Sequence, residues 1–339
     1  MNEFEDIISL LPKIKMDRKY WLVRTNAGLF YEDYRQNNFV AIGYNNISVF
    51  DLKTANDAGR SGIKGLVNKL RVQQKDNRRP LHTILQQLRF LYDIKKDDIV
   101  IIPSKNSNKI SFGRVVETPI YTVEIPNKPD PNKCSYIKRK RIEWLLDVPR
   151  YKLEPSLYKL LFSHHTISDA KSYSEAIDRT INSFYIKGDT ANIVIEVTTH
   201  NGINAKELFK MGNNLLEIVD DFSKYYNLQL DADSIEIKIE LQSPGKIQLS
   251  GKAKAGIILI GLLIIGSVGG GFKVKVGDSF QLDLSTVGAV QKIIDYKNSS
   301  HDREIMDTIL KKHADDLKIK ESQDLVNVIK QLSGNKEKD

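Results

Sequence analysis

The chain has 339 residues, 41% of them hydrophobic and 28% charged, a balance that marks a folded protein too long for one core of ordinary size, so two or three domains are expected. Its single cysteine, Cys134, excludes an intrachain disulfide framework and a cysteine-based zinc site within one chain, and fits a reducing compartment. The net charge of +8 is uneven: residues 1–150 carry 27 Lys and Arg against 17 Asp and Glu, or +10, which leaves −2 for the rest.

A local excess of cations is the footprint of a polyanionic partner, because Lys and Arg that neutralise phosphates release condensed counterions. Anionic lipid headgroups would attract the same surface, and a merely solvated basic face accounts for the charge as well. The N-terminus MNEFEDIISLLPKIKMD places acidic residues before its apolar stretch and has no small-residue cleavage site, so residues 1–17 read as a helical segment rather than a secretory signal.

Tyr20 to Arg24 (YWLVR) and Phe39 to Tyr44 (FVAIGY) read as strands. Between residues 56 and 92 the apolar spacing becomes helical, through Ile63, Val67 and Leu70 and then Leu81, Ile84, Leu85, Leu88 and Leu91. Strands resume at 98–103, 110–116, 120–123 and 140–145, and Pro126, Pro129 and Pro131 mark a hairpin loop. This order predicts a small barrel with helices packed outside it over residues 18–150.

The string YWLVRTNAGLFYEDYRQNNFVAIGY, followed by YDIKKDDIVIIPSKNSNKISFGRVVETPIYTV and KRKRIEWLLDVPR, resembles the PUA/EVE-like domain found ahead of Mrr-type restriction endonucleases and in other bacterial defence proteins. The resemblance implies a pocket that reads a base, often modified or flipped, at Trp21, Arg24, Gly43, Tyr44 and Trp144. Tyr44 departs from the pattern, which has Trp there, but keeps a flat π face for stacking. Arg24, Lys64, Arg139 and Arg141 are the candidates for holding phosphate. Each Trp, taken singly, is equally well an ordinary core aromatic, and the KRKR tract at 138–141 is equally well a solvated strand edge.

Residues 151–189 repeat apolar side chains at helical intervals and read as a connector, with a turn signalled by Ser163, Thr166 and Ser168. His164 and His165, adjacent and so diverging on a helix, make a poor metal chelate. Over 190–339 a strand (191–198), an amphipathic helix (205–226) and a strand (234–241) form an α+β domain. Glu236 and Lys238 echo a nuclease triplet, but no upstream Asp is suitably placed, and alternating charge on a solvent-facing strand explains them. No enzymatic constellation, metal site or cofactor is expected.

Residues 255–272 (AGIILIGLLIIGSVGGGF) carry no charge and are bracketed by Lys252, Lys254, Lys273 and Lys275. A helix of that length reaches about 27 Å, near bilayer thickness, so the run predicts one short transmembrane helix. Gly266, Ser267, Gly270 and Gly271 form small-residue pairs suited to helix packing in lipid. A buried core helix or a glycine-rich loop is the competing reading. Strands at 272–276 and 280–284, expected to pair with 234–241 across the membrane segment, and helices over 286–296 and 302–332 complete the domain.

The expected fold class is therefore α+β: a PUA/EVE-like barrel with flanking helices, a helical connector, and an α+β domain interrupted by a transmembrane helix. This arrangement resembles the DNA-controlled membrane effector of Hailong-type antiphage systems. That resemblance implies a nucleic-acid-gated channel or pore, single-pass in the inner membrane with its basic domain in the cytoplasm. The implied partners are single-stranded DNA or a flipped base, membrane lipid, further copies in a homo-oligomer such as a tetramer, and a co-encoded defence protein. The alternative is a soluble modified-base reader or nuclease subunit of a restriction-type system, with the uncharged run buried in a core.

Overall fold

A computed structural model describes residues 2–117, 119–124, 130, 133–198, 204–239, 245–268, 272–276, 280–283 and 287–336. The chain folds as two compact units, one of Asp17–Ile181 and the other of Met1–Met16 with Asn182–Asp339. The second unit begins with α1 (Asn2–Leu10) and β1 (Lys13–Ile14).

The unit of residues 17–181 contains β2 (Tyr20–Val23), α2 (Tyr31–Gln36), β3 (Phe39–Ile42), α3 (Val49–Asp57), α4 (Gly59–Gln73) and α5 (Pro80–Leu88), which runs into a π turn at Arg89–Asp93. It continues with β4 (Ile99–Pro103), β5 (Lys109–Val115), β6 (Tyr121–Thr122), β7 (Lys138–Pro149), α6 (Tyr158–Leu161), β8 (Ile167–Asp169) and α7 (Ser174–Ile181). The strands form one sheet in the order β3-β7-β5-β4-β2-β8, with β6 also on β7. Only β2 and β4 pair in parallel; the other ladders are antiparallel. Among the described residues the sheet is an open path, where the sequence predicts a barrel. Pro126, Pro129 and Pro131 lie outside the described residues.

Both faces of this sheet are buried, which explains why YWLV and IVIIP read as unbroken apolar runs. Side chains alternate across a strand, so Trp21, Val23, Val100 and Ile102 enter one core with Phe30, Tyr34 and Phe39. Tyr20, Leu22, Ile99 and Ile101 enter the other, closed by Leu153, Leu157, Leu160, Leu161 and Ile177. Residues 151–181, read from the sequence as connector, thus supply the second layer of this unit. The buried Asp178 accepts a 2.7 Å hydrogen bond from the Tyr20 hydroxyl, and Glu154 pairs with Arg179. Helices α3 to α5 share a third cluster around Leu52, Leu70 and Ile84. Gly113 sits at a bulge in the β5–β7 ladder, where any Cβ would collide with Ile142 and Trp144.

The second unit adds β9 (Phe184–Lys187), β10 (Thr190–Val197), α8 (Ala205–Tyr225), β11 (Glu236–Ile239), β12 (Gly245–Gly251) and α9 (Lys254–Ser267). It ends with β13 (Lys273–Val276), β14 (Phe280–Asp283), α10 (Gly288–Lys297), α11 (His301–Asp316), β15 (Ile319–Lys320) and α12 (Gln323–Lys336). Its main sheet has the order β1-β9-β10-β12-β11, with β15 on β10. Among the described residues β13 and β14 pair with each other, and not with β11 as the sequence suggests they would. Glu236 and Lys238 lie exposed on β11, an edge strand.

The predicted transmembrane helix is corrected here. Among the described residues no helix is long and apolar enough to cross a membrane. The uncharged run forms α9, 14 residues long, which spans about 21 Å. A helix apolar on all sides must be enclosed on all sides, and α9 is enclosed by its own chain, with every residue from Gly256 to Ser267 buried. A Cβ on Gly261 would lie 2.5 Å from Leu325 and 3.1 Å from Ile193, and Gly256 faces Val219 and Leu230. Gly266 meets Phe272 and Lys297 rather than a second copy, and the Ser267 hydroxyl donates to the Leu263 carbonyl at 2.7 Å. Gly270 and Gly271 lie outside the described residues. The α+β reading therefore loses its membrane-spanning element, and single-pass placement in the inner membrane loses its basis.

Candidate nucleic-acid interface

Several of the residues singled out in the sequence hold the unit of residues 17–181 together. Trp21 is 3% exposed, and its indole N–H donates to the Asp98 carboxylate at 2.9 Å. Asp98 also accepts from the backbone of Lys19 and Lys95, so the indole completes a buried polar knot. Arg24 donates to the carbonyls of Leu161 and Ser163, tying β2 to the chain leaving α6. The Trp144 indole donates to the Tyr34 carbonyl at 3.1 Å, beneath the Arg35 guanidinium at 4.9 Å. Arg141 pairs with Glu117 at 3.0 Å, and Lys64 is exposed on α4. Trp21 belongs to the same buried cluster against which Trp144 packs, and each indole N–H finds its partner within the fold.

The Gly43–Tyr44 corner has a different environment. Tyr44 has φ of +63°, a left-handed conformation that costs a bulky residue about 1–3 kcal/mol and persists only where neighbours enforce it. The enforcement comes from residues 134–138. Lys138, 1% exposed, donates through Nζ to the carbonyls of Tyr44 at 2.8 Å and Ile47 at 2.9 Å. The Asn45 carboxamide donates to the Ser135 carbonyl at 2.8 Å and accepts from the Ile137 N–H at 3.1 Å. Arg139 lies 4.0 Å over the Phe39 ring and donates to the carbonyls of Cys134 and Tyr136, so it builds the wall behind Tyr44. Gly43 leaves room for the Tyr136 ring, which a Cβ would meet at 3.1 Å.

The alternation of β7 explains this division within the KRKR tract. Lys138 and Lys140 point inward and Arg139 and Arg141 outward, and β7 lies inside the sheet rather than at its edge. Burial pushes both lysines down to about 8, with Asp98 acting the other way on Lys140.

Tyr44, 40% exposed, stands where two concavities meet. One, of about 580 Å³, is lined by Tyr44, Asn45, Asn46, Gln73, Gln74, Ser135 and Tyr136. The other, an open cleft of about 970 Å³, runs from Tyr44 along residues 72–79 to His82, Thr83 and 164–166. Lys75, Arg78 and Arg79 are exposed on that cleft against one acid, Asp76, and none of the three cations makes an ion pair among the described residues. The turn carrying them is fixed by Asn77, which donates to Thr83 Oγ1 at 3.2 Å and accepts from the Arg79 N–H at 3.0 Å. Asn46 donates to Gln73 across the two concavities at 3.0 Å. Helix α5 opens into the cleft with Pro80 in its first turn and no side-chain cap, so its positive end reinforces the cations.

His82 on α5 and His165 in the turn before β8 meet in this cleft, Nε2 to Nδ1 at 3.0 Å. Desolvation, then His165, Arg79 and Arg89, hold the His82 imidazolium below its ordinary range. No local pattern foretells this contact, because the two residues are 83 positions apart. Lys75, Arg78 and Arg79 were likewise missed; the dense run RVQQKDNRRP between two helical patterns was the available signal. Among the described residues no group of three or more His, Cys, Asp or Glu is placed to hold a metal ion.

Residues 19–171 match the family model of a domain of unknown function, DUF8426. The matched span takes in the Tyr44 corner, the cationic turn and the His82–His165 contact, and it stops short of the second unit. Comparison with curated proteins and with solved structures gives no match.

Proposed function

We propose that the unit of residues 17–181 binds nucleic acid, seating an unstacked base against Tyr44 and holding the adjoining phosphates on Lys75, Arg78 and Arg79. The observation that carries this reading is the Tyr44 ring itself, exposed in a cationic cleft on a strained corner that Lys138 and Asn45 pin in place. A flat π face is sequence-tolerant, and the carboxamides of Asn46, Gln73 and Gln74 can address a base edge. The base must be single-stranded or flipped, because a stacked base offers no free face. The resemblance of residues 20–44 and 92–150 to PUA/EVE-like domains supports base reading and a role in bacterial defence. Of the positions that the resemblance implies, Gly43 and Tyr44 are the ones on which this site is built.

Fluorescence anisotropy with a labelled single-stranded DNA 15-mer tests this. Stacking contributes about 1–3 kcal/mol per base, so Tyr44→Ala should weaken binding about 5- to 150-fold. Arg78→Gln/Arg79→Gln should flatten the salt dependence by about 1.4 in the slope of log K against log salt. Wild-type affinity in both variants would remove the interface from this cleft.

A further inference from the structure

The contact between His82 and His165 takes no part in the base stacking proposed for Tyr44. Two neutral imidazoles 3.0 Å apart share one N–H as a hydrogen bond, with the rings tilted by 36°. The same spacing would suit two ligands of one metal ion, but the surroundings oppose a cation. Arg79 at the start of α5 and Arg89 at its end both act on His82, while Lys75, Arg78 and His164 line the same cleft with Asp76 as the opposing acid. The uncapped start of α5 adds positive potential at the same end. Burial, the neighbouring His165 ring and the two arginines disfavour the His82 imidazolium, and the cationic lining around both rings is the setting that attracts an anion.

An anion entering between them reverses the balance. A phosphate oxygen beside the pair stabilises an imidazolium, which gains a proton from solvent and donates a charge-assisted hydrogen bond, while the second imidazole stays neutral because two adjacent imidazolium ions repel. We infer that His82 and His165 form a proton-linked phosphate subsite, which binds a phosphate of the nucleic acid more tightly as pH falls. The inference rests on the proposed nucleic-acid reading and assigns to it a second, titratable phosphate contact beyond the permanently charged turn. Its sign follows from linkage: the bound state holds more protons than the free state, so affinity rises on acidification through the imidazole range.

Two measurements separate this inference from the reading beneath it. In the first, the 15-mer is bound at constant ionic strength between pH 5.5 and 7.5, below the midpoints near 8 at which Lys138 and Lys140 lose protons. The wild type should bind about fivefold more tightly at the acid end, as a one-unit rise in an imidazole pKa on binding gives across that window. His82→Gln and His165→Gln should flatten the profile, which is read from each variant's own dependence on pH and not from its affinity at any single pH. A flat wild-type profile, or one that persists in both variants, overturns the subsite.

In the second, the wild-type histidine side chains are titrated by NMR in inorganic phosphate and in chloride of equal ionic strength. Phosphate should raise the midpoints of His82 and His165 and leave that of His301 unmoved. If the oligonucleotide fails to bind at any pH, the nucleic-acid reading falls, and this titration alone decides the subsite. No response to phosphate, or a response to zinc in its place, overturns it.

Discussion

Replacing Lys138 by Met removes an ammonium from the inside of the sheet unit, and its consequence can be worked from the geometry. Lys138 is held at about 8 by burial, against roughly 10.4 in an unfolded chain. Below pH 8 both states are protonated, and the folded state carries a desolvation penalty of about 3 kcal/mol. Between pH 8 and 10.5 the unfolded chain binds the extra proton, so stability rises with pH and the penalty is relieved. From pH 7.5 to 9.5 the rise is about 2 kcal/mol, and Lys140 adds a second contribution of similar size and sign. Cys134, whose thiol burial pushes up, works in the opposite direction, so the difference between variant and wild type is what must be read.

Lys138→Met leaves the Ile47 carbonyl without its side-chain donor, at about 1–3 kcal/mol, while the Tyr44 carbonyl keeps the Ile47 N–H at 3.1 Å, and it also removes the buried charge. Near pH 7 the two effects offset to within about 2 kcal/mol, while the pH-dependent rise falls by about 2 kcal/mol. Urea unfolding followed by tryptophan fluorescence measures this cleanly, because both tryptophans of the chain, Trp21 and Trp144, lie in the unit concerned. An unchanged rise between pH 7.5 and 9.5 in Lys138→Met would refute a buried, charged Lys138.

Two further outcomes follow from packing. Trp21→Phe removes the indole donor to Asp98 and should lower the stability of the same unit by about 1–3 kcal/mol while leaving oligonucleotide affinity unchanged; a loss of affinity at unchanged stability would move the base site to Trp21. Gly261→Leu forces a side chain into Leu325, Ile193 and Phe184 and should destabilise the second unit by about 1–3 kcal/mol or more in thermal unfolding. An unaltered melting transition there would contradict the placement of α9 in the core.

Much of the sheet in residues 17–181 was legible, because short β-branched and aromatic runs such as YWLV and IVIIP have few other uses. The closing layer was not, since Leu153, Leu157 and Leu160 have helical spacing whether they link two domains or cover one. The uncharged run misled for a physical reason: an all-round apolar helix carries the same pattern in a bilayer as in a core, and only its neighbours distinguish them. Here Ile193, Val219 and Leu325 are those neighbours, and α9 stops at Ser267. In the candidate site, Gly43 and Tyr44 were visible as an aromatic after a strand. The partners that pin Tyr44, and the meeting of His82 with His165, depend on tertiary contacts across 83 to 94 residues that no local pattern encodes.

The central claim is that a base rests on Tyr44. Photocrosslinking a single-stranded oligonucleotide containing 5-iodouracil to the full chain, then mapping the adduct by mass spectrometry, tests it most directly. Crosslinks should fall on Tyr44, with lesser adducts on residues 72–82 of the same cleft. Adducts confined to the second unit, or to the Arg114–Glu143 side of the sheet, would contradict the account.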